Sequence, residues 1–258
     1  MPDVGNPPEY NRDYRMSPFI IQAACSGNVE IIKKIRAVGG DIDEVGHIAL
    51  TKARRNSIKS NVIGAAAYYG RVEMLNFLLG KVDSSLIEKK AEESSDRYQS
   101  KSGPFKTELH DFTPLQLAIA SPYSNLNTVR ILFSHRANQK VVEASSGNNI
   151  LHLAVKHCGE NTEILNYVIK NAGIDIFARN SSGETAISMA RSRGNAKACE
   201  IIEECQADFD DTAKATDDLM AELLDEDQKN EKARQKRKDK KHRSKLQKLA
   251  DKHNCTVE

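Results

Sequence analysis

The 258 residues contain no tryptophan, and aromatic side chains of any kind make up only 5% of the chain. With 29% charged and 39% hydrophobic residues, the composition is polar for a compact globule. It suits an elongated molecule with a large surface. No apolar run approaches the ~18 residues that mark a membrane span, so no span is expected. The first residues, MPDVGNPPEYNRDYR, have no apolar stretch of the kind a secretory signal needs, and no such signal is expected there. Cysteine is scarce as well. Cys25, Cys158, Cys199, Cys205 and Cys255 are odd in number and form no CxxC pair, which argues against a disulfide framework and for a reducing compartment, cytosol or nucleus. Cys199 and Cys205 stand six apart with no histidine nearby, so they read as packed thiols and not as zinc ligands. The motifs GxGxxG, GxxxxGK(S/T), GxSxG and HExxH are absent, and with them the usual signatures of dinucleotide, nucleotide, hydrolase and metalloprotease sites. No catalytic residue, cofactor or metal is assigned.

What the chain does have is segregated charge. The formal net charge is +2. Residues 208–227 nevertheless carry nine acids against one base, Lys214, and residues 229–258 carry twelve bases against four acids. Any strong field therefore originates at the C-terminal end.

Ahead of that end the sequence repeats. FIIQAACSGNVEIIKKIRAVGGDID, VIGAAAYYGRVEMLNFLLG, FTPLQLAIASPYSNLNTVRILFSHRAN and NILHLAVKHCGENTEILNYVIKNAGIDIFARNSSG align, and ETAISMARSRGNAKACEIIEE follows as a shorter fifth unit. Each holds two apolar patches at helical spacing separated by a polar turn. Ala23, Ala66, Ala118, Ala154 and Ala190 mark the same place in every unit. A small side chain there lets the first helices of neighbouring units approach closely, while Ile, Leu and Val of the second helices fill the layer behind. One unit cannot bury its own apolar face, so the units must stack. Gly27, Gly70 and Gly194 fall where the turn between paired helices needs a permissive backbone.

These residues carry a resemblance. Thr113-Pro114-Leu115-Gln116-Leu117-Ala118 resembles the ankyrin Thr-Pro-Leu-His-x-Ala motif, and Gly147-Asn148-Asn149-Ile150-Leu151-His152-Leu153-Ala154 is similar to its Gly-x-Thr-Pro-Leu-His-x-Ala form. Asn171-Ala172-Gly173-Ile174-Asp175 and Gly39-Gly40-Asp41-Ile42-Asp43 resemble the family's closing Gly-Ala-Asp turn. The resemblance implies an all-α fold, an ankyrin-repeat solenoid of stacked helix pairs over residues 17–207. A disordered N-terminus (1–16) precedes it and a charged helical tail (208–258) follows. Three departures stand out. The marker alanines are 43, 52, 36 and 36 residues apart, against a norm of about 33. Long inserts fall near 44–60 and 81–110, and units three and four carry two extra residues around Pro122-Tyr123 and Cys158-Gly159. Arg136 stands where a closing turn usually has Gly.

The tail runs without Gly or Pro from Thr212 to Asn254 and is rich in good helix formers. Asp217 and Asp218 suit a helix start, and Lys248 and Lys252 suit its end. Leu219, Met220, Leu223 and Leu224 form a short apolar patch, but between Gln228 and Lys245 only Ala233 is apolar. A long coiled coil is therefore poorly supported. A solvated helix, ordered over its first third and fraying beyond, is the expectation.

The resemblance also locates candidate contacts. In ankyrin proteins the end of the first helix faces the concave groove. Cys25 and Ser26, Tyr68 and Tyr69, Lys156 and His157, and Ser192 and Arg193 occupy those places here, either as a partner-binding surface or as ordinary exposed helix residues. The partner would be another protein, held by a non-enzymatic adaptor through its concave face and hairpin tips, and the long loops offer it a second surface; the alternative is a nucleic-acid- or ribonucleoprotein-associated factor anchored by the basic C-terminal helix. His152 holds the family's histidine position, whose usual work is hydrogen bonding in the turn network. Lys236, Arg237, Lys238, Lys240 and Lys241 form a basic run open to several readings: a nuclear localisation signal, a nucleic-acid contact, a contact with an acidic partner or with the chain's own acidic block, or a solvated face. With no aromatic residue after Lys229, nucleic-acid binding there would be phosphate-driven and not sequence-specific. Arg54-Arg55-Asn56-Ser57 resembles a basophilic kinase site in an expected loop, making Ser57 a possible phosphosite.

Overall fold

The computed structural model describes residues 17–50, 57–81, 85–93, 109–159 and 161–254. The expectations for residues 1–16 and for Arg54, Arg55 and Asn56 lie outside the described residues. Contacts divide the chain into two units, Met1–Glu203 and Glu204–Glu258.

The first unit is built of helix pairs: α1 (Phe19–Ser26) with α2 (Val29–Ala37), α3 (Val62–Tyr68) with α4 (Val72–Leu79), α6 (Pro114–Ala120) with α7 (Leu126–Ser134), and α8 (Ile150–His157) with α9 (Glu163–Asn171). A fifth pair starts with α10 (Ala186–Ser192) and the first turns of α11 (Ala196–Asn254). A single-turn helix, α5 (Ser85–Glu88), lies in the second insert. The first helices pack in one row, α1 on α3, α3 on α6, α6 on α8 and α8 on α10; the second helices form a parallel row, α2 on α4, α4 on α7 and α7 on α9. This is the stacked-pair, predominantly helical architecture the sequence implies.

Local chemistry sets where the helices begin. At α6, the backbone N–H of Gln116 donates to Thr113 Oγ1 (3.4 Å), and the Thr113 N–H donates to Gln116 Oε1 (2.9 Å). Pro114, at the first helical position, has no N–H left to satisfy. Asn61, Asn125 and Asn149 cap α3, α7 and α8 in the same manner, accepting from Gly64, from Thr128, and from Leu151 and His152. At the turn after α1, Gly27 has φ +79°, and its N–H closes back on Ala23 and Ala24. In the closing turn after α7, Arg136 adopts φ +61°, so the departure from Gly there puts a bulky residue in the left-handed region. The marker alanines Ala23, Ala66, Ala118, Ala154 and Ala190 are at most 1% exposed, which lets neighbouring first helices meet at close range.

Two features differ from expectation. First, the insert near 44–60 forms sheet. β1 (Gly46–Ala49) pairs antiparallel with β2 (Ser57–Ser60) in the register Gly46↔Ser60, and β2 pairs antiparallel with β3 (Glu92–Glu93) from the second insert. Ile48 and Ile58, opposite each other, are fully buried, and that buried pair fixes which face of the ribbon turns to the helices. Second, the helix expected to start near Asp217 and Asp218 starts at Ala196 and runs 59 residues to Asn254. The cause is local. No Gly or Pro follows Gly194 before Asn254, so nothing stops the helix once it has begun.

Candidate protein-binding surface

In the first unit the C-terminal ends of the first helices form one line, cross-braced from unit to unit. Arg71 Nε donates to the Cys25 carbonyl (2.8 Å), Asn125 Nδ2 to the Gly70 carbonyl (3.1 Å), and Asn195 Nδ2 to the Gly159 carbonyl (2.9 Å). Arg71, Asn125 and Asn195 are equivalent, the first residues past each turn, and each reaches back to the turn of the preceding unit. The sequence shows the residues but not the bonds, because the partner carbonyls lie 36 to 55 residues away.

At the opposite end, the loops ahead of the first helices are tied together. His152 sits 1% exposed between Asn149 Oδ1 (2.6 Å from Nδ1) and the Glu184 carbonyl (3.0 Å from Nε2). It thus bridges two successive units in the turn network. Burial pushes its pKa below the ordinary value, while the Glu184 carbonyl and carboxylate pull it back up. Asn180 Nδ2 donates to Asn148 Oδ1 (3.0 Å), and Ser181 N to the Ser146 carbonyl (2.8 Å). Glu143 is buried, which by itself would raise its carboxyl. Hydrogen bonds donated by Ser146, Asn148 and Ser145, with Lys156 nearby, more than offset this and hold it below the usual carboxylate value.

The site residues named from sequence separate on this frame. Tyr68 and Tyr69, expected at the exposed end of α3, are buried, and this is a correction. Tyr68 is 1% exposed and Tyr69 8%. Their hydroxyls donate to the Leu50 and Ala49 carbonyls at 2.9 Å each, so both rings clamp the β1 end of the insert. Tyr123, one of the extra residues after α6, completes the cluster at 5.4 Å from the Tyr69 ring and 6.1 Å from the Tyr68 ring. Ser121 Oγ donates to the Tyr68 carbonyl. Every residue of α3 and of α6 is buried, with α5 packed on both and β2 on α3. The physical reason is the insert itself, which folds onto α3 and α6.

The other candidates fall elsewhere. Cys25 is half-buried, and burial pushes its thiol up to about 12 despite Arg71 beside it. Ser26 Oγ turns back to the Ala23 carbonyl (3.0 Å). Lys156, half-buried, and His157, exposed, end α8, while Ser192 and Arg193, both exposed, end α10. The structure joins the ends of the two helices, because Arg193 Nη1 donates to the Lys156 carbonyl (3.4 Å). Arg191, also exposed, pairs with Glu203 at 2.8 Å. Ser57 is not in a loop. It opens β2, half-buried and in register with Ala49, and strand pairing there opposes the extended access a kinase needs. Lys236, Arg237, Lys238, Lys240 and Lys241 are exposed on α11 in the second unit.

The family comparison agrees with this geometry. A model described as ankyrin repeats (3 copies) matches residues 20–180 and again 115–213. The chain belongs to the ankyrin-repeat family. A search of curated proteins gives no match. Ankyrin repeats form a protein–protein interaction module. Among the described residues no helix is long and apolar enough to cross a membrane, and no cluster of three or more His, Cys, Asp or Glu could hold a metal ion.

Proposed function

We propose that the ankyrin stack is a non-enzymatic adaptor of the cytosol or nucleus. Its protein partner engages the C-terminal units of the row, at Lys156, His157, Ser192 and Arg193. One observation supports this placement. The first helices α3 and α6 are wholly buried, whereas α8 and α10, whose ends are joined, end in exposed or half-exposed polar and basic side chains.

The test is partner capture with the full chain and with Lys156→Glu/Arg193→Glu. Arg193 is exposed, but Lys156 is half-buried with the Glu143 carboxylate nearby, so thermal unfolding of the double variant and of Arg193→Glu alone serves as the control. Loss of the captured partner with an unchanged unfolding curve supports the reading. Retention of the partner moves the site elsewhere on the stack.

The basic run Lys236, Arg237, Lys238, Lys240 and Lys241 supplies a localisation signal or a second contact in the same reading. Its exposure along α11 also favours a second one, a phosphate-backbone contact to nucleic acid. Truncation after Glu226 separates the two. Loss of RNA retention at low salt with partner capture intact supports the nucleic-acid contact.

A further inference from the structure

In the second unit, α11 presents an apolar stripe with an acidic border. Cys205, Phe209, Thr212, Thr216, Leu219 and Leu223 follow one another at alternating spacings of four and three, the seam that faces a partner helix in a coiled coil. Met220 and Leu224 widen it. Phe209 is 58% exposed, Leu219 57%, Met220 57%, Leu223 52% and Leu224 58%. The two threonines do not make the stripe hydrophilic, since Thr212 Oγ1 donates to the Phe209 carbonyl (2.8 Å) and Thr216 Oγ1 to the Thr212 carbonyl (2.7 Å). Asp208, Asp218 and Glu222 immediately precede Phe209, Leu219 and Leu223, and Asp210 and Asp225 follow Phe209 and Leu224. Chain neighbours lie about 100° round a helix, so these carboxylates edge the stripe. Asp225 is engaged by Lys229 (2.7 Å).

We infer that residues 205–227 are a docking face for a basic amphipathic helix of another protein. Charge selects the partner. Nine acids against one base repel nucleic acid and anionic lipid, and they attract a cationic helix whose own leucines can enter the stripe. A helix is the fitting form because α11 has satisfied its backbone internally, leaving no unpaired edge to which a strand could add.

A second copy of this chain does not fit as well. Pairing stripe on stripe, parallel or antiparallel, sets acidic block against acidic block. Sliding an antiparallel copy until acids meet the basic half brings the leucines opposite a stretch in which, between Gln228 and Lys245, only Ala233 is apolar. Self-pairing satisfies charge or apolar burial, never both at once.

The experiment uses the full chain and a fluorescent synthetic helix of about three heptads, with leucines at alternating three and four spacing and lysines beside them. Two comparison peptides replace the lysines by glutamates or the leucines by glutamines. Fluorescence anisotropy at physiological ionic strength gives affinity, and sedimentation of the chain alone gives its oligomeric state. The basic amphipathic peptide binds one to one, and the comparison peptides bind at least about tenfold more weakly. Leu219→Gln/Leu223→Gln weakens binding by about tenfold or more, with Leu219→Ala/Leu223→Ala, which preserves helix propensity, doing the same. Equal binding of the glutamine peptide reduces the face to non-specific charge and overturns the inference. So does failure of the basic amphipathic peptide to bind, or an unchanged affinity in the leucine variants. A dimer of the chain alone that depends on Leu219 and Leu223 overturns it in favour of a second copy.

Discussion

Replacing Gly64 by alanine reverses the usual rule for glycine in a helix, and the structure says by how much. In an ordinary helix interior, Gly→Ala gains ~1 kcal/mol. At Gly64, inside α3, an added Cβ overlaps Ser60 Oγ of β2 and meets Leu117 Cδ1 at 3.3 Å and Asn61 Oδ1 at 3.4 Å. Ser60 is 2% exposed, so its hydroxyl has little room to move aside, and overpacking of this kind costs ~1–3 kcal/mol. With the overlap near the middle of that range, Gly64→Ala destabilises by about 1 kcal/mol net. The cause is removable. Ser60 Oγ has no hydrogen-bond partner among the described residues, so Ser60→Ala sacrifices no bond and opens the space. In that background Gly64→Ala recovers up to ~1 kcal/mol. The two substitutions then couple by about 2 kcal/mol, a normal value for residues in contact. Urea unfolding of the four proteins, compared at constant m, measures the cycle. A higher midpoint for Gly64→Ala alone would refute the reasoning, because it would show that β2 does not hold Ser60 against α3.

Three further outcomes follow from the same coordinates. Arg136→Gly raises stability by about 1 kcal/mol, since it relieves a left-handed backbone at an exposed side chain; a fall in the urea midpoint would contradict this. His152 has a folded pKa below its ordinary 6.5, so the unfolded chain binds the proton more readily. Its contribution to stability is complete above pH 6.5 and declines as pH falls through 6.5 towards the folded value. Glu143, held below 4.5, adds a second loss as pH drops below that range. Unfolding midpoints measured against pH show the two phases, and His152→Gln removes the upper one. Cys25, half-buried and with its thiol pushed up to about 12, reacts with an aromatic disulfide reagent at neutral pH much more slowly in the folded chain than in the unfolded one; in a chain whose other cysteines are replaced by serine, labelling of the folded protein at the rate of a free thiol would count against the burial.

The sequence alone determined the repeat and the places where its helices start. Both rest on short-range physics: 3.6-residue periodicity, an Asn or Thr cap accepting from backbone two or three residues on, and a small alanine at each close approach. The continuity of α11 was equally local, being the absence of any stop after Gly194, and the helix starts at that turn and not at the acidic residues. Tertiary structure decided what the tyrosines do. Tyr68 and Tyr69 occupy positions that the repeat pattern leaves exposed, and the packing of Ala49, Leu50 and Tyr123 against them buries them. That packing spans inserts whose sequences carry no repeat signal, so nothing local announces it. The line of first-helix ends was legible in the repeat register. Which part of it stays exposed depended on long-range packing, because an insert removes a surface only when it folds onto it.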